Sequence, residues 1–151
     1  MRDTLLIIHI LAAGAWFGTN VVQSLVTPRI ASGGNQVAAH WHRTTVGLLR
    51  TIYMPSAIII VVTGIGMLTV VDDSPYEFSD AFVSMGFVAV IIGSALGMGF
   101  FASRGREAAE AYDSGDTTTA TGLERKIALG GLLDTFVIIV AVLAMVDKWG
   151  V

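Results

Sequence analysis

Four long runs of apolar residues, separated by clusters of charged and turn-forming residues, dominate the pattern along this chain. A helix rises about 1.5 Å per residue, so about 20 apolar residues cross a hydrocarbon core of about 30 Å. Each run reaches that length, and lipid forces it to be helical because an open strand would leave backbone groups unpaired. The predicted helices are about Thr4–Val26, Val46–Val71, Phe82–Ala102 and Ile127–Val146. The sequence therefore predicts an all-α membrane protein, a four-transmembrane-helix up-down bundle that forms a single domain over residues 1–151.

The first run has a second interpretation as a signal peptide, because Arg2 precedes it and small residues follow from Ala12 to Ala15. The apolar stretch continues well past these residues and three further runs follow, so we expect a retained helix. Pro55 lies inside the second run. We expect it to kink that helix rather than end it, because neighbouring groups can satisfy the carbonyl that it leaves free.

The links between the runs differ in character. Thr27–Thr45 contains Pro28 and a glycine pair, and Asp72–Ala81 is a short acidic segment typical of a tight hairpin. Ser103–Lys126 is the longest link. Its part Arg106–Tyr112 has helix-forming residues, and Ser114–Thr121 has the composition of a flexible loop.

Basic residues predict the orientation in the membrane. Seven flank the first and third links, namely Arg29, Arg43, Arg50, Arg104, Arg106, Arg125 and Lys126, whereas only Arg2 and Lys148 lie on the other side. Because Lys and Arg gather on the cytoplasmic side, we expect both long links inside the cell (inner) membrane and both termini on the outer side.

The composition agrees with a membrane protein, with 54% hydrophobic and 14% charged residues and a mean hydropathy of +0.71. The net charge of -3 gives no basic footprint for nucleic acid, so we expect no nucleic-acid partner. The sequence contains no cysteine, which excludes disulfides, thiolate metal sites and a cysteine nucleophile.

His9 is the first candidate for chemistry, because an imidazole inside an apolar run is costly and needs a partner. One interpretation is a histidine bonded to a neighbouring carbonyl or side chain, and the other is a ligand of heme or of a metal ion. Three methionines are expected at the same depth: Met67, Met85 and Met145. Histidine with thioether partners suits Cu(I) or a His/Met heme, whereas core packing is the alternative role of methionine.

His40 and His42 stand at the opposite end of the second run, roughly 30 Å from His9 at the helical rise per residue. A heme held by His9 and one of these residues within a single chain is therefore not expected. We expect His40 and His42 to be unliganded histidines at a solvent-facing helix start.

Asp134 is the second candidate, since a carboxylate about two turns inside the fourth run marks a functional site by default. Arg50 and Asn20 fall at a similar depth, with Gln23 close by. We predict a buried Asp134–Arg50 pair with Asn20 nearby. The pair has two interpretations: an ion pair that fixes helix register, or a proton relay or clamp for a polar ligand.

Glycines four residues apart, Gly14 with Gly18 and Gly93 with Gly97, predict faces where helices approach closely. The sequence shows no nucleophile–base pair, phosphate loop, zinc signature or dinucleotide fingerprint, which favours a function without catalysis.

Three segments carry a resemblance to a known group. They are LLIIHILAAGAWFG over residues 5–18, Thr63-Gly64-Ile65-Gly66 followed by Met67, and the closing Ala144-Met145-Val146-Asp147-Lys148. These segments resemble small bacterial four-helix integral membrane proteins of unknown function, related to copper-resistance protein D and to HemJ-type protoporphyrinogen oxidases. The resemblance implies that the first-helix histidine, here His9, takes part in binding heme or a metal ion.

Three hypotheses of function follow. The first is a non-enzymatic integral membrane protein that works in the lipid bilayer as a homo-oligomer or as an accessory subunit of other membrane proteins. The second adds binding of heme b or a metal through His9, with copper held by His9 and the methionines. The third is a HemJ-like protoporphyrinogen oxidase.

Overall fold

The computed structural model describes residues 1–70 and 75–151, and within these ranges every regular element is a helix. Helix α1 spans Arg2–Ala31, α2 spans Asn35–Thr69, α3 spans Ala81–Asp113 and α4 spans Thr117–Asp147. All four are long and apolar enough to cross a membrane, which confirms an all-α chain with four such helices. The end of the predicted second helix, Val71, and the start of the predicted acidic link, Asp72 and Asp73, lie outside the described residues.

Each helix is longer than the apolar run that predicted it. The predicted links 27–45 and 103–126 are mostly helical, and only residues 32–34 and 114–116 separate the helices that they join. Gly34 and Gly115 make these short turns with φ of 108° and 79°, a region that glycine enters without steric cost. Pro28 lies inside α1 rather than in a link.

The loop predicted at Ser114–Thr121 is wrong from Thr117 onward. Asp116 caps α4, because its carboxylate accepts a hydrogen bond of 3.0 Å from the backbone N–H of Thr119. A polar segment that reads as a loop by composition therefore starts a 31-residue helix.

The helix ends beyond the apolar runs pack through small side chains. Their core consists of Tyr112 and five alanines, Ala38, Ala39, Ala109, Ala111 and Ala120. Alanine has the highest helix propensity and lets helices approach closely, yet it adds little hydropathy. This is why apolar runs alone placed the helix boundaries too far inward.

Helix α2 continues past Pro55. A π-helical turn, Leu49–Tyr53, is followed directly by the α-helical segment Met54–Thr69. Pro55 has no N–H to donate to the carbonyl of Thr51, and a wider turn at this point is a recognised way to accommodate such an interruption. A second π-helical segment, Leu96–Phe101 in α3, contacts the first.

Polar side chains face inward and large apolar ones face outward, as expected for a bundle in lipid. Within the apolar spans the buried polar residues are His9, Asn20, Ser56, Thr63 and Asp134. The outer surface carries exposed Ile, Leu, Val and Phe side chains along all four helices. Without a hydrophobic force between helices in lipid, close packing and internal hydrogen bonds hold such a bundle together.

The glycine faces divide into two groups. A Cβ atom on Gly93 would lie 2.4 Å from Trp16 Cζ2, and one on Gly97 would lie 3.6 Å from Leu49 Cδ2, so these glycines lie at helix contacts. At Gly14 and Gly18 an added Cβ would meet nothing within 4 Å. No described atom of another helix lies within reach of this pair, so the close helix approach expected there stays a prediction.

Candidate functional site

The carboxyl group of Asp134 is the centre of a polar cluster inside the bundle. It lies on α4 and is only 3% exposed. Its Oδ2 atom accepts a hydrogen bond of 3.0 Å from Trp16 Nε1 and one of 2.7 Å from Asn20 Nδ2. Trp16 and Asn20 are four residues apart on α1, so the helical repeat places both donors on one face.

The cluster continues as a chain of hydrogen bonds that all point toward Asp134. The hydroxyl of Tyr53 donates to Asn20 Oδ1 at 2.7 Å, and Gln23 Nε2 donates to the Tyr53 oxygen at 2.7 Å. Tyr53 ends the π-helical turn of α2, and its ring meets that of Trp16 edge to face at a centroid distance of 5.8 Å. Donors aligned in one direction polarise one another, which strengthens the last bond onto the carboxylate.

The second carboxyl oxygen, Asp134 Oδ1, is buried and has no hydrogen-bond partner within the described ranges. It faces α3 at Gly93, where an added Cβ would lie 2.9 Å from Oδ1. The backbone of α3 and the Trp16 ring therefore close this side of the carboxylate.

Arg50 does not pair with Asp134, contrary to the prediction. It is exposed, and none of the salt bridges among the described residues joins the two side chains. A guanidinium near the membrane border reaches water with its long side chain and avoids the desolvation cost of a buried ion pair. The contribution of α2 to the cluster is the neutral hydroxyl of Tyr53.

The sequence interpretation included Asn20 and Gln23 but missed Trp16 and Tyr53. A signal for Trp16 was present, because Trp16, Asn20 and Gln23 follow the helical spacing i, i+4 and i+7 in an otherwise apolar helix. Tyr53 had no such signal, since its direction depends on the π-helical turn.

His9 is 8% exposed and bonded within the bundle. Its Nδ1 lies 3.0 Å from Thr63 Oγ1, whose hydroxyl donates to the carbonyl of Ile59 at 2.5 Å. Because the hydroxyl proton is used there, the assignment that fits is donation from His9 Nδ1–H to Thr63, with the lone pair on Nε2. The ring also packs against Gly64, where an added Cβ would lie 3.6 Å from Cε1.

A cavity of about 50 Å³ lies beside His9, and its lining includes Trp16, Gly86 and Met145. The other lining residues are apolar, and Met67 and Met85 are not among them. Of the three methionines predicted to share a site with His9, the structure brings Met145 to the same cavity. Among the described residues no group of three or more His, Cys, Asp or Glu side chains could hold a metal ion.

The two histidines at the other end of α2 differ from each other. His40 is exposed, as expected for a solvent-facing helix start, whereas His42 is 2% exposed. His42 Nε2 lies 3.0 Å from Glu124 Oε1 on α4, and its ring stacks on Tyr112 of α3 at a centroid distance of 5.9 Å. His42 thus joins three helices in the polar end of the bundle.

No protein-family model, curated protein or solved structure matches the chain. The resemblance to the proteins related to copper-resistance protein D and HemJ stays a prediction, as does the role that it implies for His9.

Proposed function

We propose that this chain is a non-enzymatic, multi-pass protein of the cell (inner) membrane whose Asp134 site reversibly binds a cation, the proton included, within the bilayer. The observation that supports this most is the state of the carboxyl group. This group is buried in a helix long and apolar enough to cross the membrane. One of its oxygens accepts two hydrogen bonds, and the other accepts none from the residues that the structure describes.

A charged side chain inside a lipid bilayer is costly. An Asp at the centre of a spanning helix costs about 2.5–3.5 kcal/mol on insertion scales, so such residues carry partners or functions. Here the partners within hydrogen-bond reach are the uncharged Trp16 and Asn20. They stabilise negative charge on Asp134 without cancelling it, which leaves a site for a positively charged ligand.

The orientation proposed above, with the basic links inside, puts Asp134 on the cytoplasmic half of the bilayer. It lies eight residues after Lys126, about 12 Å along the helix. The chain of Asn20, Tyr53 and Gln23 runs from Asp134 toward that same side, because these residues follow Trp16 along α1 or precede Pro55 along α2.

Assembly with copies of itself or with other membrane proteins belongs to the same proposal. Gly14 and Gly18 form an outward-facing pair on α1 with open space beside both. Such a pair lets a second helix approach closely in lipid. A homo-oligomer or an accessory subunit would use this face.

Ligand-dependent stability tests the proposed site. A ligand that binds only the folded state stabilises it by mass action, so the unfolding temperature of the protein in lipid nanodiscs should respond to pH or to a small cation such as Na⁺. Asp134→Asn should lose that part of the response. Asp147→Asn is the matched control, since Asp147 is an exposed carboxylate on the same helix, and it should respond as the wild type does. If Asp134→Asn and the wild type respond equally to pH and to every cation, the proposal is wrong.

A metal site at His9 is the second candidate, and it is favoured by the cavity that His9 shares with Met145. An imidazole Nε2 lone pair and a thioether are ligands suited to Cu(I). Heme is disfavoured inside the bundle at this point, because the cavity of about 50 Å³ is far below the roughly 300–1,000 Å³ of common ligand pockets. A HemJ-like oxidase that holds heme in this cavity is disfavoured for the same reason.

Copper content tests this second candidate. The protein purified after exposure to Cu(I) should retain stoichiometric copper, and His9→Ala and Met145→Leu should both lose it. Met67→Leu is the control, because Met67 does not line the cavity. Copper that stays bound in His9→Ala would exclude His9 as a ligand.

A further inference from the structure

The Oδ1 atom of Asp134, which has no hydrogen-bond partner among the described residues, determines which cation the site can hold. This inference rests on the proposed cation site. Oδ1 is enclosed by the α3 backbone at Gly93 and by the Trp16 ring. Even one methyl group at Gly93 would lie 2.9 Å from Oδ1 and 2.4 Å from Trp16 Cζ2. The space between Gly93, the Trp16 ring and this oxygen is therefore smaller than a methyl group requires.

Metal cations need several oxygen ligands at once. Ca²⁺ takes about six to eight and Mg²⁺ requires a near-octahedral set. The described side chains around Asp134 do not supply such a set. The amide oxygen of Asn20 already accepts the Tyr53 hydroxyl, and Trp16 and the Asn20 NH₂ group are donors. Among the described residues no further side-chain oxygen is free to bind a metal ion at Oδ1, and the burial of this atom keeps bulk water away from it.

We infer that Asp134 binds a proton in preference to metal cations and takes it on Oδ1. A proton needs one lone pair and adds almost no volume. On protonation one O–H bond forms at Oδ1 and no bond of the cluster breaks. Oδ2 becomes the carbonyl oxygen and keeps both hydrogen bonds, because a carbonyl oxygen has two lone pairs for Trp16 and Asn20. Trp16 and Asn20 thus donate to Asp134 in both its ionised and its protonated state.

The titratable groups around Asp134 are few. On α1 the nearest is His9, seven residues before Trp16 or about 10 Å along the helix, and it is bonded to Thr63. On α2 Tyr53 reaches Asp134 through Asn20, while Arg50 is exposed. The facing position of α3 is Gly93, which has no ionisable group, and on α4 the nearest charged residue is Lys126. Proton binding at Asp134 is therefore coupled most directly to Tyr53.

Infrared difference spectroscopy tests the inference. The full-length protein in lipid nanodiscs is titrated with acid while the C=O stretching band of protonated carboxyl groups is recorded. The carboxyl bands of the wild type should include one component that shifts in deuterated buffer, is absent in Asp134→Asn and is retained in Asp147→Asn. Its titration midpoint should be the same in choline, sodium, magnesium and calcium chloride of equal ionic strength.

Competition by a metal cation has a different signature. A cation that shares the site would lower the midpoint by about one pH unit for each tenfold excess over its dissociation constant. That result would overturn proton preference but leave the proposed cation site intact. Persistence of that component in Asp134→Asn would overturn the inference outright. If Asp134→Asn does not fold, the wild-type titrations in the four salts still decide between a proton and a metal cation.

Discussion

Trp16 and Asp134 are 118 residues apart in the sequence, yet the indole N–H of Trp16 donates a hydrogen bond of 3.0 Å to the Asp134 carboxylate. This contact joins the first and last helices of the bundle at the point where Gly93 brings α3 against both side chains. Three of the four helices therefore meet at one carboxyl group, and α2 reaches it through Tyr53 and Asn20.

Removal of the indole donor should weaken the bundle. Trp16→Phe keeps most of the ring but leaves Asp134 with a single donor, and we expect a loss of about 1–2 kcal/mol in the free energy of unfolding. Unfolding in mixed micelles with a rising fraction of denaturing detergent measures it. Trp41→Phe is the control, because Trp41 donates to the neutral hydroxyl of Thr27 in a half-buried position and should cost less. Equal losses would contradict the importance of the Asp134 contact.

Double-mutant cycles should separate the true partner of Asp134 from the predicted one. Asn20→Ala and Asp134→Ala remove the two ends of one hydrogen bond, so their effects on unfolding free energy should be non-additive by about 0.5–3 kcal/mol. Arg50→Ala combined with Asp134→Ala should be additive, since Arg50 is exposed and forms no salt bridge with Asp134. A coupling found for Arg50 instead of Asn20 would refute the observed arrangement.

Two glycines of α3 should respond differently to the same substitution. Gly93→Ala forces a Cβ against the rigid Trp16 ring and the Asp134 carboxylate, and overpacking of this kind costs about 1–3 kcal/mol. Gly86→Ala meets the terminal methyl of Met145 at 2.6 Å, and a flexible methionine can move aside. Its cost should be offset by the helix propensity of alanine, about 1 kcal/mol above glycine. Similar melting temperatures for the two variants would argue against a closed site at Gly93.

The His42–Glu124 pair should contribute more than a surface ion pair. Both side chains are largely buried, and His42 also stacks on Tyr112. The cycle of His42→Ala and Glu124→Gln should give a coupling near the upper part of the roughly 0.5–3 kcal/mol range. The exposed Arg104–Glu107 pair is the control, where surface pairs give about 0.2–1 kcal/mol. A coupling no larger than that of the control would show that burial adds nothing to the His42 contact.

Asp116 should make stability depend on pH in the acid range. The side chain of Thr119, and then its backbone N–H, lowers the pKa of the Asp116 carboxyl below its ordinary value of 3.8. A lowered folded pKa means that the cap is fully stabilising above the ordinary value and is lost as the pH falls through the lowered one. Asp116→Asn keeps a side-chain oxygen that can cap the helix, but this amide group does not ionise. As the pH falls, the unfolding midpoint of the wild type should decrease relative to that of Asp116→Asn. A constant difference between the two midpoints would contradict the role of the cap.

The four helices long and apolar enough to cross a membrane could be predicted because lipid imposes one rule on every segment of sufficient apolar length. The candidate residues His9, Asn20 and Asp134 could be found for a related reason, since a polar residue in such a segment stands out and has to face inward. The structure places all three inside the bundle. The helix ends could not be found in this way, because the alanine-rich extensions such as Ala108–Ala109 pack well without being strongly apolar.

The sequence by itself determined that this chain has four helices long and apolar enough to cross a membrane and which polar side chains lie within them, because the cost of polar groups in lipid acts on each segment alone. Only the tertiary structure decided the partners. Asp134 is bonded to Trp16 and Asn20 instead of Arg50 because helix rotation and the π-helical turn before Pro55 set the direction of each side chain. Those directions depend on contacts between helices, which no single segment contains.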